Sequence, residues 1–162
     1  MGSARDIPTT RLNCDRPWVI VMNSEDLTTQ LEQVFADYLD RYFHRRDLEA
    51  IVELLAPEMV GAGTGRDEIG YESIDAIRLF VRDIEQAPNR IDYTIHRQQV
   101  RSLSPVSGFV FAEMDLSTML AEQSLVFRGL RMTLVLAKHG DKLLIEHFHV
   151  SLPTIAHDQD EA

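Results

Sequence analysis

The chain has little cysteine, little positive charge and no long apolar run, and each shortage excludes a class of protein. Its single cysteine, Cys14, can form neither an internal disulfide nor the thiolate set of a zinc knuckle. Only 16 basic residues stand against 26 acidic ones, and the resulting net charge of −10 opposes binding to nucleic acid and to anionic membranes. The apolar stretch at residues 18–22 is too short to span a bilayer. Because no secretory leader is visible either, the sequence predicts a cytoplasmic protein.

Length and composition predict one globular domain with polar ends. The 162 residues are 44% hydrophobic and 26% charged, which is ordinary for a soluble single-core protein. We expect an N-terminal extension over residues 1–23, a domain over residues 24–153 and an acidic tail over residues 154–162. Two alternatives stay open for the apolar segment Pro17–Met22: an extended arm packed on the domain, or part of an extension upstream of a natural start at Met22.

The first half of the domain has the periodicity of helices. Apolar residues from Leu27 to Phe43 recur at helical spacing and predict a long amphipathic helix. Asp47 is expected to cap a second, shorter helix, and Ser73 is expected to cap a third. Between them, residues 58–65 predict a short strand that runs into a glycine-rich turn. This turn lacks the lysine and the Ser/Thr of a phosphate-binding loop, so we expect no nucleotide there.

The second half alternates as strands do. Four long runs, separated by the short breaks that are typical of antiparallel neighbours, cover Ile91–Leu103, Phe109–Ala121, Leu125–Ala137 and Lys142–Leu152. In the second run, apolar residues at even positions from Val110 to Leu120 alternate with Glu113, Asp115 and Ser117, which predicts a sheet covered on one side. Helices followed by an antiparallel meander indicate an α+β domain.

The last run carries the most informative chemistry. Residues two apart on a strand share a face, and regular alternation therefore aligns five residues in one row: Leu143, Ile145, His147, His149 and Ser151. A row that is apolar at its start and polar at its end is typical of a pocket wall. The same alternation places Phe148 and Val150 on the outer face, where exposed apolar surface would favour a homodimer.

Two motifs and the order of elements resemble the SnoaL-like branch of the nuclear transport factor 2-like superfamily. The motifs are Gly63-Thr-Gly-Arg-Asp67-Glu68 and His147-Phe-His149-Val-Ser151-Leu-Pro153, which are similar to segments of small SnoaL-like domains that stand alone or act as sensory modules. The resemblance covers residues 24–153. It implies a cone-shaped α+β fold in which three N-terminal helices pack on a curved antiparallel sheet, with a cavity at one end and dimerisation through the outer sheet face.

The resemblance also implies a set of ligand-binding residues around that cavity: Tyr38, Tyr42, Asp67, Glu68, His147, His149 and Ser151. We expect a small, partly apolar organic ligand that is bound without turnover, and neither a cofactor nor a metal. The superfamily includes ketosteroid isomerases, dehydratases, cyclases and members without a known reaction, so the fold does not define the function.

Three other interpretations of these residues stay open. A cofactor-independent isomerase, dehydratase or cyclase would use His147 or His149 as a base beside Asp67 or Glu68, with Tyr38 or Tyr42 as donor. A metal would need a third ligand such as His96, Asp67 or Glu68. The histidines could instead complete a polar core by bonding a buried carboxylate or a tyrosine hydroxyl, and the whole chain could be a structural dimerisation module with a filled core.

Overall fold

Helical periodicity in the first half of the domain and strand alternation in the second build helices on one side of a single sheet. The structure, a computed structural model, describes residues 24–65, 68–87, 89–120 and 122–153. The helices are α1 (Ser24–Leu39), α2 (Leu48–Val52) and α3 (Ser73–Gln86), and a π-helical segment, Asp40–Arg45, continues α1. The strands are β1 (Leu55–Ala62), β2 (Ile69–Gly70), β3 (Ile91–Ser104), β4 (Ser107–Leu120), β5 (Gln123–His139) and β6 (Lys142–Ser151). The segment Pro17–Met22 and the acidic tail lie outside the described residues.

Helices form in the three segments where the apolar spacing predicts them, but the N-cap of α3 is Glu72, so the prediction that Ser73 caps this helix is wrong. The buried stripe of α1 includes Leu27, Leu31, Phe35 and Leu39, which recur at intervals of four residues. Asp47 caps α2 as predicted, because its side chain accepts a hydrogen bond from the backbone N–H of Ala50 at 3.1 Å. Within the described part of the chain, no helix has both the length and the hydropathy that crossing a bilayer requires.

The sheet has six strands in the order β2-β1-β6-β5-β4-β3. The antiparallel meander predicted from the four long runs is confirmed. The expectation of a wholly antiparallel sheet is wrong, however, because β1 pairs with β6 in the parallel direction. A long stretch of chain separates these two strands, so no tight hairpin forces them to run in opposite directions.

The core lies between α1 and the inner face of the sheet. On β4, Val110, Ala112, Met114 and Leu116 are buried, and the predicted alternation of this strand is confirmed. The neighbouring strand β5 contributes its own buried row, which consists of Leu130, Met132, Leu134 and Leu136. The residues between these positions therefore face outward, away from the helices.

A β-bulge at Glu146 interrupts the alternation of β6. Ile145 lies opposite Leu136 and His147 lies opposite Val135, so Glu146 is an extra residue without a partner of its own. An extra residue moves every later side chain to the other face of the sheet. The prediction that one row continues from Ile145 to His147 is therefore wrong.

The bulge exchanges the two faces of the second half of β6. Leu143 and Ile145 are buried before it, and Phe148 is buried after it, 4% exposed and in contact with Phe80 at a ring distance of 5.1 Å. Val150 lies on the same side and packs against the core. The prediction that Phe148 and Val150 face outward is wrong for the same reason.

Candidate functional site

A cavity of about 330 Å³ lies between the helices and the inner face of the sheet. The sheet contributes apolar side chains, among them Leu116, Leu130, Met132 and Val150, and the helical side contributes Tyr42, Phe43, Leu79 and Asp83. Small-molecule sites in proteins have volumes of about 300–1,000 Å³, with mostly apolar walls and a few polar groups. The cavity has both the size and the composition of such a site.

The polar end of the cavity is built around Asp83 on α3. The Tyr42 hydroxyl donates a hydrogen bond to Asp83 Oδ2 at 2.9 Å, and Arg46 Nη2 donates to the same oxygen at 2.6 Å. These three residues come from two helical segments that are distant in sequence. Their contacts join the end of the π-helical segment to the last turn of α3.

Arg46 is buried behind the cavity wall, where it fixes the positions of Tyr42 and Asp83. Its side chain is 3% exposed and donates to the backbone carbonyls of Ala87, Tyr42 and Asp83, each at 3.0 Å. Its backbone is in the left-handed region, with φ of 53°, and its N–H caps the carbonyl of Arg41. The guanidinium N–H groups therefore bond backbone carbonyls and Asp83. Arg46 does not line the cavity, so the described wall has no basic group at this end.

Both tyrosines of the predicted site stay protonated at ordinary pH. Burial, and then the charge of Asp83, raise the pKa of Tyr42 well above its ordinary value, and the same two causes raise the pKa of Tyr38. Tyr42 lines the cavity, whereas Tyr38 lies behind it, 1% exposed, with its ring 5.5 Å from that of Tyr42. The Tyr38 hydroxyl finds no hydrogen-bond partner among the residues that the structure describes.

The two tyrosines should respond in opposite ways to loss of the hydroxyl. We expect Tyr38→Phe to raise the free energy of unfolding by up to about 1 kcal/mol, because it removes a buried hydroxyl that has lost its water without gaining a partner. Tyr42→Phe should lower it by about 1–2 kcal/mol, because its hydroxyl bonds a carboxylate. Urea denaturation followed by circular dichroism measures both. Equal destabilisation by the two variants would show that Tyr38 has a partner after all.

Glu68 lies where the glycine-rich turn meets the cavity. Its Oε2 accepts hydrogen bonds from the Gly65 N–H at 2.8 Å and from the Thr64 hydroxyl at 3.4 Å, while Oε1 pairs with Arg82 at 3.3 Å. Glu68 and Thr64 both line the cavity. The carboxylate thus closes the turn as well as forming part of the wall. Asp67, the other acidic residue of this motif, lies outside the described residues.

The histidines of the last strand do not line the cavity. Because of the bulge at Glu146, His147, His149 and Ser151 face outward on β6, where His147 lies opposite Val135 on β5. The prediction that these three form the pocket wall is wrong. Partial burial, and then the charge of His149, lower the pKa of His147 below its ordinary value. Neither imidazole is placed to act with Glu68 on a molecule inside the cavity.

Histidine–carboxylate pairs do occur, but away from the cavity. The distances are 3.1 Å from His96 Nε2 to Asp115 Oδ2 and 3.4 Å from His44 Nδ1 to Asp40 Oδ1, and His139 also pairs with Glu146. Asp115 accepts a hydrogen bond from the Gly129 N–H, which with His96 lowers the pKa of that carboxyl. Among the described residues, no three His, Cys, Asp or Glu side chains gather closely enough to hold a metal.

Sequence reasoning missed Asp83 and Arg46, although each left a signal. Asp83 falls three residues after Phe80 and so lies beside the apolar stripe of α3, where a carboxylate needs a partner. Arg46 follows Tyr42 by four residues at the end of a long helical pattern. Neither signal indicated that the two residues would meet, because that contact depends on how the helices pack.

Comparisons with known proteins place this architecture. A profile of the SnoaL-like domain family matches residues 31–155. The chain is similar in structure to an NTF2-like protein of unknown function from Pseudomonas putida KT2440, with a TM-score of 0.68 and 13% identity over 86% of this chain and 95% of that one. It is also similar to a ketosteroid isomerase-like protein from Erwinia carotovora atroseptica SCRI1043, with a TM-score of 0.65 and 17% identity over 82% and 99% of the two chains.

The association domain of CaMKII from C. elegans shares the architecture too, with a TM-score of 0.62 and 16% identity over 79% of this chain and 97% of that domain. No curated protein matches the chain significantly. At these identities the structural likenesses show the fold alone.

Proposed function

The chain belongs to the SnoaL-like domain family, and we propose that its cavity binds one small, partly apolar organic molecule and reports or stores it without turnover. The observation that carries this proposal is the cavity of about 330 Å³, with apolar side chains along the sheet and the Tyr42–Asp83 pair at its polar end. Apolar walls supply the binding free energy through burial, and a few polar groups orient the ligand.

Binding is favoured over acid–base catalysis by the state of the polar groups. A histidine is the side chain that most often serves as a general base. No described histidine lines the cavity, and the two carboxylates that do, Asp83 and Glu68, each pair with an arginine. The ketosteroid isomerase-like protein from Erwinia carotovora atroseptica is only 17% identical to this chain, so the likeness extends to the fold and not to the chemistry.

Filling the cavity should remove binding. Leu125 lines the cavity and Val126, the next residue on β5, is 52% exposed. We expect Leu125→Trp to weaken the binding of 1-methylnaphthalene by more than about tenfold, because the indole occupies the space of the ligand. Val126→Trp is the matched control and should bind as the parent does. Ligand-observed NMR titration measures both, and equal binding by the two variants would place the ligand elsewhere.

We propose that the outer face of the sheet forms a homodimer. Phe109 and Phe111 on β4 alternate with buried residues and therefore face outward, and Val135 on β5 pairs with Phe109. Side chains of this kind, set side by side on an open sheet face, form an apolar patch that a second copy would cover. Native mass spectrometry of the purified protein reads the number of chains, together with any organic molecule that copurifies.

A further inference from the structure

We propose that the polar group of the ligand is a hydrogen-bond donor, an amine or a hydroxyl on an apolar body, and that it binds the free oxygen of Asp83. This inference rests on the proposed ligand-binding function and names the class of ligand. It excludes carboxylates and phosphates, which carry acceptors only.

The groups that Tyr42 and Asp83 leave available are acceptors, whereas the Gln86 amide, which also lines the cavity, carries both a donor and an acceptor. Both bonds from Tyr42 and Arg46 go to Asp83 Oδ2, and Oδ1 accepts no hydrogen bond from any described residue. The Asp83 side chain remains 45% exposed and lines the cavity. The only O–H of Tyr42 already donates a hydrogen bond to Asp83, so its oxygen can only accept a further one. A ligand that meets this end with an N–H or O–H completes the hydrogen bonding, and an anion does not.

A second acceptor lies on the opposite wall. The Thr118 hydroxyl lines the cavity and donates its proton to the carbonyl of Arg90 at 3.0 Å. Its oxygen can therefore only accept another hydrogen bond. The Tyr42–Asp83 pair on the helical wall and Thr118 on the sheet wall thus both offer acceptors.

The charges of the wall agree with this preference. Two carboxylates, Asp83 and Glu68, line the cavity, whereas none of its described lining residues is a lysine, an arginine or a histidine. The two nearby arginines are turned to other partners: Arg46 to backbone carbonyls and Asp83, and Arg82 to Glu68. An anionic head group would meet carboxylates without a cation to bind it, and repulsion in a partly dry site is stronger than in water.

Four naphthalenes with the same body and different head groups test the proposal on the unmodified protein. They are 1-naphthylmethylamine, 1-naphthylmethanol, 1-methylnaphthalene and 1-naphthoate, and their dissociation constants are measured at pH 7 by ligand-observed NMR. We expect the amine to bind at least about tenfold more tightly than 1-naphthoate, since a hydrogen bond to a charged group is stronger than a neutral one. The alcohol should bind severalfold more tightly than 1-methylnaphthalene.

A substitution at Asp83 should reverse the preference. In Asp83→Asn the amide oxygen can keep the bonds from Arg46 and Tyr42, which turns the NH₂ group toward the cavity as a donor. The amine should then lose about tenfold or more in affinity and 1-naphthoate should gain. Glu85→Gln is the matched control, an exposed carboxylate on the same helix, and should leave all four constants unchanged. If Asp83→Asn does not fold, the four dissociation constants measured on the unmodified protein still test the proposal.

The outcomes separate this inference from the function on which it rests. Tighter binding of 1-naphthoate than of the amine and the alcohol would overturn the inference. Equal binding of all four probes would do the same, since it would show an apolar cavity without a polar preference, while the proposed function would stand. Failure of all four to bind would overturn both.

Discussion

Arg46→Met is expected to lower the free energy of unfolding by about 2–4 kcal/mol, a large part of the stability of a domain of this size. Methionine keeps much of the length of the side chain but none of its donors. The substitution leaves three backbone carbonyls without the bonds that Arg46 now gives them, and it leaves Asp83 without its cation. Because the Asp83 side chain is 45% exposed, water recovers part of the loss, and the upper half of the range is reached only if the helix ends also separate.

The control for this result is Arg82→Met. Arg82 also pairs with a carboxylate of the cavity wall, Glu68, but its side chain is 45% exposed and this is its only ion pair with a described residue. Exposed ion pairs contribute little, so we expect a loss of at most about 0.5 kcal/mol. Arg46→Lys should fall between the two, since an ammonium keeps the charge but cannot reach every carbonyl at once. Urea denaturation by circular dichroism ranks the three variants, and similar losses for Arg46→Met and Arg82→Met would contradict the structural role of Arg46.

Much of the fold follows from local pattern, because the physical causes are local. The apolar spacing of α1, the cap that Asp47 gives to α2 and the alternation of β4 each depend on neighbours within a few residues. The short breaks between the last four strands leave antiparallel pairing as the simple solution. Tyr42 and Glu68, two members of the predicted site, do line the cavity.

The parts that the sequence did not predict depend on single residues or on packing. One extra residue at Glu146 sends His147, His149 and Ser151 outward, and nothing in the composition of β6 distinguishes a bulged strand from a regular one. The partnership of Arg46 with Asp83 joins segments 37 positions apart and appears only once the helices are packed. A pocket assigned from the resemblance and from regular alternation therefore took its histidines from the wrong face.

The bulge itself can be tested through Gly61, the neighbour of Phe148 across the parallel pair of β1 and β6. A Cβ at Gly61 would overlap the ring of Phe148, which cannot easily move because it is buried against Phe80. In most strands Gly→Ala is stabilising by about 0.5–1 kcal/mol, because alanine loses less conformational entropy on folding. Here we expect Gly61→Ala to be destabilising by about 2–3 kcal/mol, as in other overpacked cores.

A smaller side chain at position 148 should relieve this overlap. Phe148→Leu alone should lower the free energy of unfolding by about 1–2 kcal/mol. The double variant Gly61→Ala/Phe148→Leu should lose about 1–2 kcal/mol less than the sum of the two single losses. Chemical denaturation of the four proteins gives this coupling free energy. In a β6 without the bulge, Phe148 would face outward, Gly61→Ala would be harmless and the coupling would vanish. A coupling near zero would therefore indicate that His147 and His149 face the cavity, and a large coupling would indicate that they face outward from the sheet.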